Sequence, residues 1–189
     1  MTNPSCRTKF FIPPFDEVFH VTTFGKRLKA IRNKQGFEAA KEEAENIYER
    51  IADSLREIFK DGDTTIVYRE ICVKKIDDFI SELKKYKKSF YKDEFKGVGI
   101  YWANSIDFGM AYWCSDDAEV RLMMEARISH EDVDFLNTIA DGIQFGYDIE
   151  NEIRLYDGKT IKLIRVFPRD DSDVYDSSEP IGLDIDVIV

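Results

Sequence analysis

The stretch from Asp148 to Phe167, DIENEIRLYDGKTIKLIRVF, decides how the second half of the chain is read. Residues i and i+2 of an extended chain project from the same face. Glu150 and Glu152 therefore stand side by side at the entrance of a strand, two carboxylates that repel and add nothing to a fold. They are either a solvated strand end or a pair that acts on something. Beyond them, ENEIRLY and KTIKLIRVF flank Asp157-Gly158, and that dipeptide between apolar alternations predicts a type I′ hairpin.

Upstream of the pair, EVRLMMEARI alternates cleanly. Val120, Leu122, Met124, Ala126 and Ile128 share one face, and Glu125 falls on the other, where exposure is expected. SHEDVDFLNTIA reads as a turn, with His130 on its surface, leading into a short helix, and DGIQFGYD from Asp141 reads as a loop. VGIYWA is a short apolar strand, after which Ser105 can cap a brief helix through IDFGMAYW. TTIVYREICV reads as a buried strand with Arg69 near its end.

The first third is helical. Ala40, Ala44, Ile47, Ile51, Leu55 and Ile58 recur at spacings of three and four, which predicts an amphipathic helix over Phe37–Lys60. KRLKAIRNKQG predicts a shorter helix before it, with Leu28 and Ile31 inward and Gly36 as C-cap. DEVFHVTTF, rich in β-branched and aromatic residues, reads as a strand. The tail after Pro168 is acidic and loop-like until its last apolar residues add an edge strand. The fold class is therefore α+β in a single domain: a mainly helical lobe over residues 1–63, a β core over 64–167, and an acidic tail over 168–189.

Of the 189 residues, 43% are hydrophobic and 34% charged, an ordinary globular balance. No apolar run approaches the roughly 20 residues a membrane span needs, and no signal peptide is recognised, so a cytoplasmic protein with no membrane partner is expected. Cys6, Cys72 and Cys114 are scattered, and His20 and His130 lie far apart, so neither a disulfide framework nor a metal site is indicated. A net charge of −10 speaks against general nucleic-acid binding. The basic run KKYKKSFYK from Lys84 to Lys92 reads as the end of a helix that begins near Ile76, its lysines complementing the helix dipole. Rossmann, P-loop, HExxH and GxSxG signatures are absent from the sequence.

Three features remain, in a definite order. Arg69 offers a planar fork suited to a diphosphate. Tyr101, Trp102, Tyr112 and Trp113 offer flat walls for a heteroaromatic ring. A glutamate facing them could stabilise a developing oxocarbenium ion. Clamp, platform and carboxylate together describe a site for the N-glycosidic bond of NAD. IVYRE, GIYWANS and ENEIRLYDGKTIKL, in this order, resemble the arginine, serine and glutamate motifs of the mono-ADP-ribosyltransferases, over about Thr64 to Phe167.

The resemblance implies an NAD cleft between a helical lobe and an antiparallel or mixed β core. NAD is then the substrate, and ADP-ribose passes to a macromolecular acceptor, a protein, with the ExE pattern leaning toward its arginines. It makes Glu152 the catalytic glutamate and Glu150 the group that activates the acceptor. Arg69 becomes the ligand of the NAD phosphates and ribose, Ser105 the residue shaping the nicotinamide pocket, and Tyr101, Trp102 and Tyr112 further cofactor contacts. Ala103-Asn104-Ser105 departs from the family's Ser-Thr-Ser. GIYWA is closer to the poly(ADP-ribose) polymerase branch, and FHVT at Phe19–Thr22 is similar to that branch's H-G-T strand, which would make His20 an NAD contact.

Plainer readings stand beside these. Arg69 could pair with Glu70, the aromatic residues could be core, Ser105 a helix cap, and His20 a packed histidine. A catalytically inactive acidic binding or inhibitor protein on the same fold is the alternative function, and an NAD glycohydrolase toxin would use the same residues with water as acceptor.

Overall fold

The computed structural model describes residues 10–73, 75, 77, 79–81, 98–106, 120–146, 152–169 and 180–189. The chain opens with α1 (Phe15–Val21), α2 (Lys26–Gln35) and α3 (Phe37–Ile58). After them come β1 (Thr64–Val73), β2 (Tyr101–Trp102) and β3 (Val120–Ser129), then a 3-10 turn (His130–Asp132) and α4 (Phe135–Phe145). β4 (Ile153–Arg154), β5 (Thr160–Arg169) and β6 (Ile181–Ile188) complete it. The fold is α+β, and both of its sheets are antiparallel. Among the described residues no helix is long and apolar enough to cross a membrane.

The larger sheet has the order β1-β3-β5-β6, and β2 and β4 form a separate two-stranded sheet. β1 and β3 pair along their whole length, from Thr64 opposite Ser129 to Val73 opposite Val120. The small sheet is tied to both edges of the large one. Ala103 exchanges two backbone hydrogen bonds of 2.8 Å with Tyr68 on β1, and the Val98 N–H donates to the Ile188 carbonyl on β6 at 2.7 Å. Trp102, Ile153 and Leu155 share one apolar cluster with Leu122, Met124, Ala126, Leu163 and Val166 of the large sheet.

α3 follows its periodicity closely. Ala40, Ala44, Ile47, Tyr48, Ile51, Ala52 and Leu55 are buried along one stripe. Gly36 ends α2 and begins α3 with φ +100°, a conformation that favours glycine. β6 bears out the edge strand expected of the tail. Phe79, on the inward stripe of the basic-run helix, is buried, but most of that helix lies outside the described residues.

Several expectations are corrected. DEVFHVTTF does not form a strand; it forms α1. Phe15, Val18 and Phe19 recur at helical spacing, and Asp16 and Glu17 occupy the first turn, where the helix dipole favours acids. His20 is thereby placed in the last turn of a helix, exposed, and not on a strand. The Asp157-Gly158 turn exists, with Gly158 at φ +77°, but β4 and β5 do not pair across it. β4 pairs with β2 and β5 with β3 and β6, so the turn carries the chain from one sheet to the other.

Glu125 is not exposed. It retains 5% of its surface and receives a bidentate Arg165, Nε to Oε1 at 3.0 Å and Nη2 to Oε2 at 2.9 Å. Met123 beside it is also buried, so this strand is covered on both faces and its alternation does not mark solvent. His130 is likewise buried, against the rings of Phe10 and Phe59. The loop read from Asp141 is the second half of α4, which ends where Gly146 takes the left-handed conformation.

α4 packs against α1, α2 and α3 on one side and β4 on the other, so it joins the helical layer to the small sheet. At its end the Gln144 carbonyl meets Gly25 so closely that a Cβ there would lie 1.6 Å from the oxygen. Backbone on backbone cannot be relieved by a rotamer. Gly25→Ala is therefore expected to cost about 1–3 kcal/mol through overpacking. Gly62→Ala, with nothing within 4 Å of the new carbon, should be close to neutral. Thermal or urea unfolding of the two variants checks this.

Candidate functional site

The candidate site is built on the two-stranded sheet. Tyr101 lies opposite Arg154 and Trp102 opposite Ile153, and one further step of that register sets Ala103 across from Glu152. The Leu155 N–H donates to the Ile100 carbonyl at 2.8 Å and continues the pairing at the other end. α4 holds β4 from outside. The Asp134 N–H donates to the Arg154 carbonyl at 2.9 Å. The Arg154 N–H donates to Thr138 Oγ1 at 3.0 Å, and that hydroxyl donates to the Arg154 carbonyl at 3.3 Å.

Arg69 sits in the middle of β1 and not at its end. The strand's alternation puts it on the face of Val67 and Ile71, whereas Glu70 is buried on the opposite face. The Arg69 Nη1 donates to the Tyr101 carbonyl, and its guanidinium lies flat across Gly99. A Cβ at Gly99 would stand 2.7 Å from Nη2 and displace the guanidinium, and the φ of +92° itself favours glycine there. Tyr101 is half-buried, with the Arg154 guanidinium 5.6 Å above its ring. Trp102 points the other way. Its indole is 1% exposed and donates to the Gly99 carbonyl at 2.8 Å, which places it in the core and not on a ligand platform.

Ser105 is half-buried on the bend that leaves β2. Beside it the Asn104 Oδ1 is buried and, among the described residues, meets no hydrogen-bond donor. Glu150, Tyr112 and Trp113 lie outside the described residues. The structure thus brings Arg69, Tyr101 and Glu152 together.

Glu152 is set apart by what it does not do. Among the described residues it makes no hydrogen bond or ion pair, although it is half-buried and has two arginines near it. Burial raises its pKa above the usual 4.5, Asp141 raises it further, and Arg69 and Arg154 oppose both. The Tyr101 hydroxyl is raised as well, first by burial, with Arg154 opposing and Asp141 and Glu152 adding to the shift. A desolvated carboxylate without an internal partner is open to a ligand hydroxyl or to positive charge.

Two residues of the cluster carry no sequence motif. Arg154 bridges to Asp141 at 3.1 Å and approaches Asp134 at 4.0 Å. Their signal lay in spacing. Arg154 continues the i, i+2 series of Glu150 and Glu152, and Asp134, Thr138 and Asp141 form one helical stripe. No protein-family model, no curated protein and no solved structure matches the chain.

The raised pKa of Glu152 has a thermodynamic sign. A carboxyl whose folded pKa lies above its unfolded value favours the native state below the unfolded pKa, and that advantage is lost as pH rises through the folded value. At pH 7 the ionised side chain therefore costs stability. Glu152→Gln is expected to unfold at a higher temperature than wild type at pH 7, by roughly 2–4 °C for each kcal/mol recovered. The gain should shrink as pH falls toward 4.5. Calorimetry across that range measures it.

Proposed function

We propose that the chain is a mono-ADP-ribosyltransferase-like enzyme that cleaves NAD, and that Glu152 is its catalytic carboxylate. The observation carrying the reading is the desolvated, unpartnered Glu152 flanked by Arg69, Tyr101 and Arg154 on a two-stranded sheet laid against a larger antiparallel one. In the step proposed, the bond from ribose C1′ to the nicotinamide nitrogen breaks and nicotinamide leaves with the electron pair. C1′ then bonds to an acceptor nucleophile, whose proton is released. Positive charge develops on the ribose as the bond lengthens, and a fixed carboxylate in a water-poor setting stabilises it more than the neutral ground state.

In this reading Arg69 holds phosphate. Its guanidinium is fixed in place by Gly99 and the Tyr101 carbonyl. Tyr101 offers a ring whose one face already carries Arg154, so stacking would use the other. Asn104 Oδ1 is a buried acceptor at the end of the same strand, suited to an amide donor. The macromolecular acceptor is a protein side chain, and with water in its place the product is free ADP-ribose.

Incubation with NAD, following nicotinamide release, tests the assignment. Glu152→Gln is expected to lower the rate by about 10²–10³, the range for removing one preorganised electrostatic group. A loss well under tenfold would remove Glu152 from the chemistry. Arg69→Ala should weaken NAD binding, read by calorimetric titration, and unchanged affinity would take Arg69 out of the site. If neither protein nor variant releases nicotinamide, and NAD leaves the melting temperature unmoved, an acidic binding protein becomes the better description.

A further inference from the structure

Among the described residues two cations stand near Glu152, and either could close on it and cancel its charge. Arg69 is engaged with the Tyr101 carbonyl. Arg154 is the sharper case, because it lies two residues along the same strand and starts from the same side. Its guanidinium is nevertheless turned toward α4. Nη1 lies 3.1 Å from Asp141 Oδ2 and Nε 4.0 Å from Asp134 Oδ2, with the Tyr101 ring beneath.

The stripe of α4 that does this is unusual in its surroundings. Phe135, Ile139, Ala140 and Ile143 bury the helix in the core, yet Asp134, Thr138 and Asp141 fall at i, i+4 and i+7 and all act on Arg154. Thr138 and the Asp134 N–H bond only its backbone, which already fastens helix to strand. Asp141 reaches the side chain alone, so beyond tying helix to strand it sets where that guanidinium points. A partly buried carboxylate spent on one guanidinium needs a further reason.

The geometry points to Asp141 as a positioning residue: by holding Arg154 against Tyr101, it withholds that guanidinium from Glu152 and keeps the carboxylate open to substrate. The inference rests on the NAD-cleaving reading of the same site. Among the described residues, the charged and titratable groups around Glu152 are Arg69 from β1, Tyr101 from β2, Asp141 from α4 and Arg154 from β4. Asp141 and Glu152 are thus rivals for one cation, and the nearer fit of Asp141 decides the contest.

The full chain carries the test, in a cycle of Asp141→Asn, Arg154→Gln and the double variant. With the charge at position 141 gone, Arg154 is free to pair with Glu152. Asp141→Asn is expected to lower nicotinamide release about tenfold or more, in kcat and not in KM. In the Arg154→Gln background the same change should have little effect. Asp141→Glu, which keeps a carboxylate on the same helical face, should retain most of the rate. A loss from Asp141→Asn that is undiminished without Arg154 would overturn the inference.

A second readout does not depend on turnover. Carbon NMR titration of the Glu152 carboxyl should show its pKa falling in Asp141→Asn, and falling markedly less in the Arg154→Gln background. Equal falls in both backgrounds would sink the positioning role even if NAD is cleaved. A coupled fall in a protein that leaves NAD intact would uphold the positioning role and defeat the NAD reading instead.

Discussion

Two backbone hydrogen bonds, between Tyr68 and Ala103 in both directions, fix most of what matters in this molecule. β2 is only two residues long, and a strand that short has no stability of its own. The bridge gives it a position. It also gives it a register, and through that register it sets Arg69, Tyr101 and Glu152 around one point. Side chains alternate along a strand, so a slip of one residue would turn Tyr101 into the core and expose Trp102. The core itself guards against that slip. Only the indole at position 102 fills its place and finds the Gly99 carbonyl for its N–H.

Glu125 and Glu152, on different strands of the β core, make an instructive pair. Glu125 is more deeply buried than Glu152, yet it is fully satisfied, gripped by both arms of Arg165 with Tyr68 hydrogen-bonded beside it. Removing its charge would leave Arg165 without its partner. Glu152 is less buried and unsatisfied, and its neighbours are engaged elsewhere. Burial alone would have put Glu70 and Glu125 ahead of it. What separates Glu125 and Glu152 is where each lone pair goes, and among the described residues Glu152 has no partner that answers it.

Much of the scaffold was legible in the sequence, because long elements with steady periods announce themselves. α3, β1 and β3 were read nearly at their observed bounds, and Gly36 was read correctly as the break between two helices. Short elements failed for physical reasons. α1 has only seven residues, too few for periodicity to outweigh aromatic and β-branched content. At Asp157-Gly158 the local turn chemistry was right, but strand pairing is settled by distant partners, here Tyr101 and Trp102 for β4. Glu125 was misplaced because alternation was taken to imply one wet face. Asp141 and Arg154 were missed for a related reason: a loop was read from Asp141 onward, which cut the Asp134–Thr138–Asp141 stripe before its last member.

What the sequence could not convey is how much of the site is fixed before any ligand arrives. Arg69 is laid flat across Gly99 and tied to the Tyr101 carbonyl. Arg154 is tied to α4 through its backbone and its side chain. Each tie removes rotamers that a ligand would otherwise have to freeze, at about 0.5–1.5 kcal/mol for a long side chain. The same ties keep both guanidinium groups from relaxing onto Glu152. Preorganisation and an open carboxylate are therefore one property seen from two sides. The fold spends stability at Glu152 because the neighbours that could have relieved it are held in place.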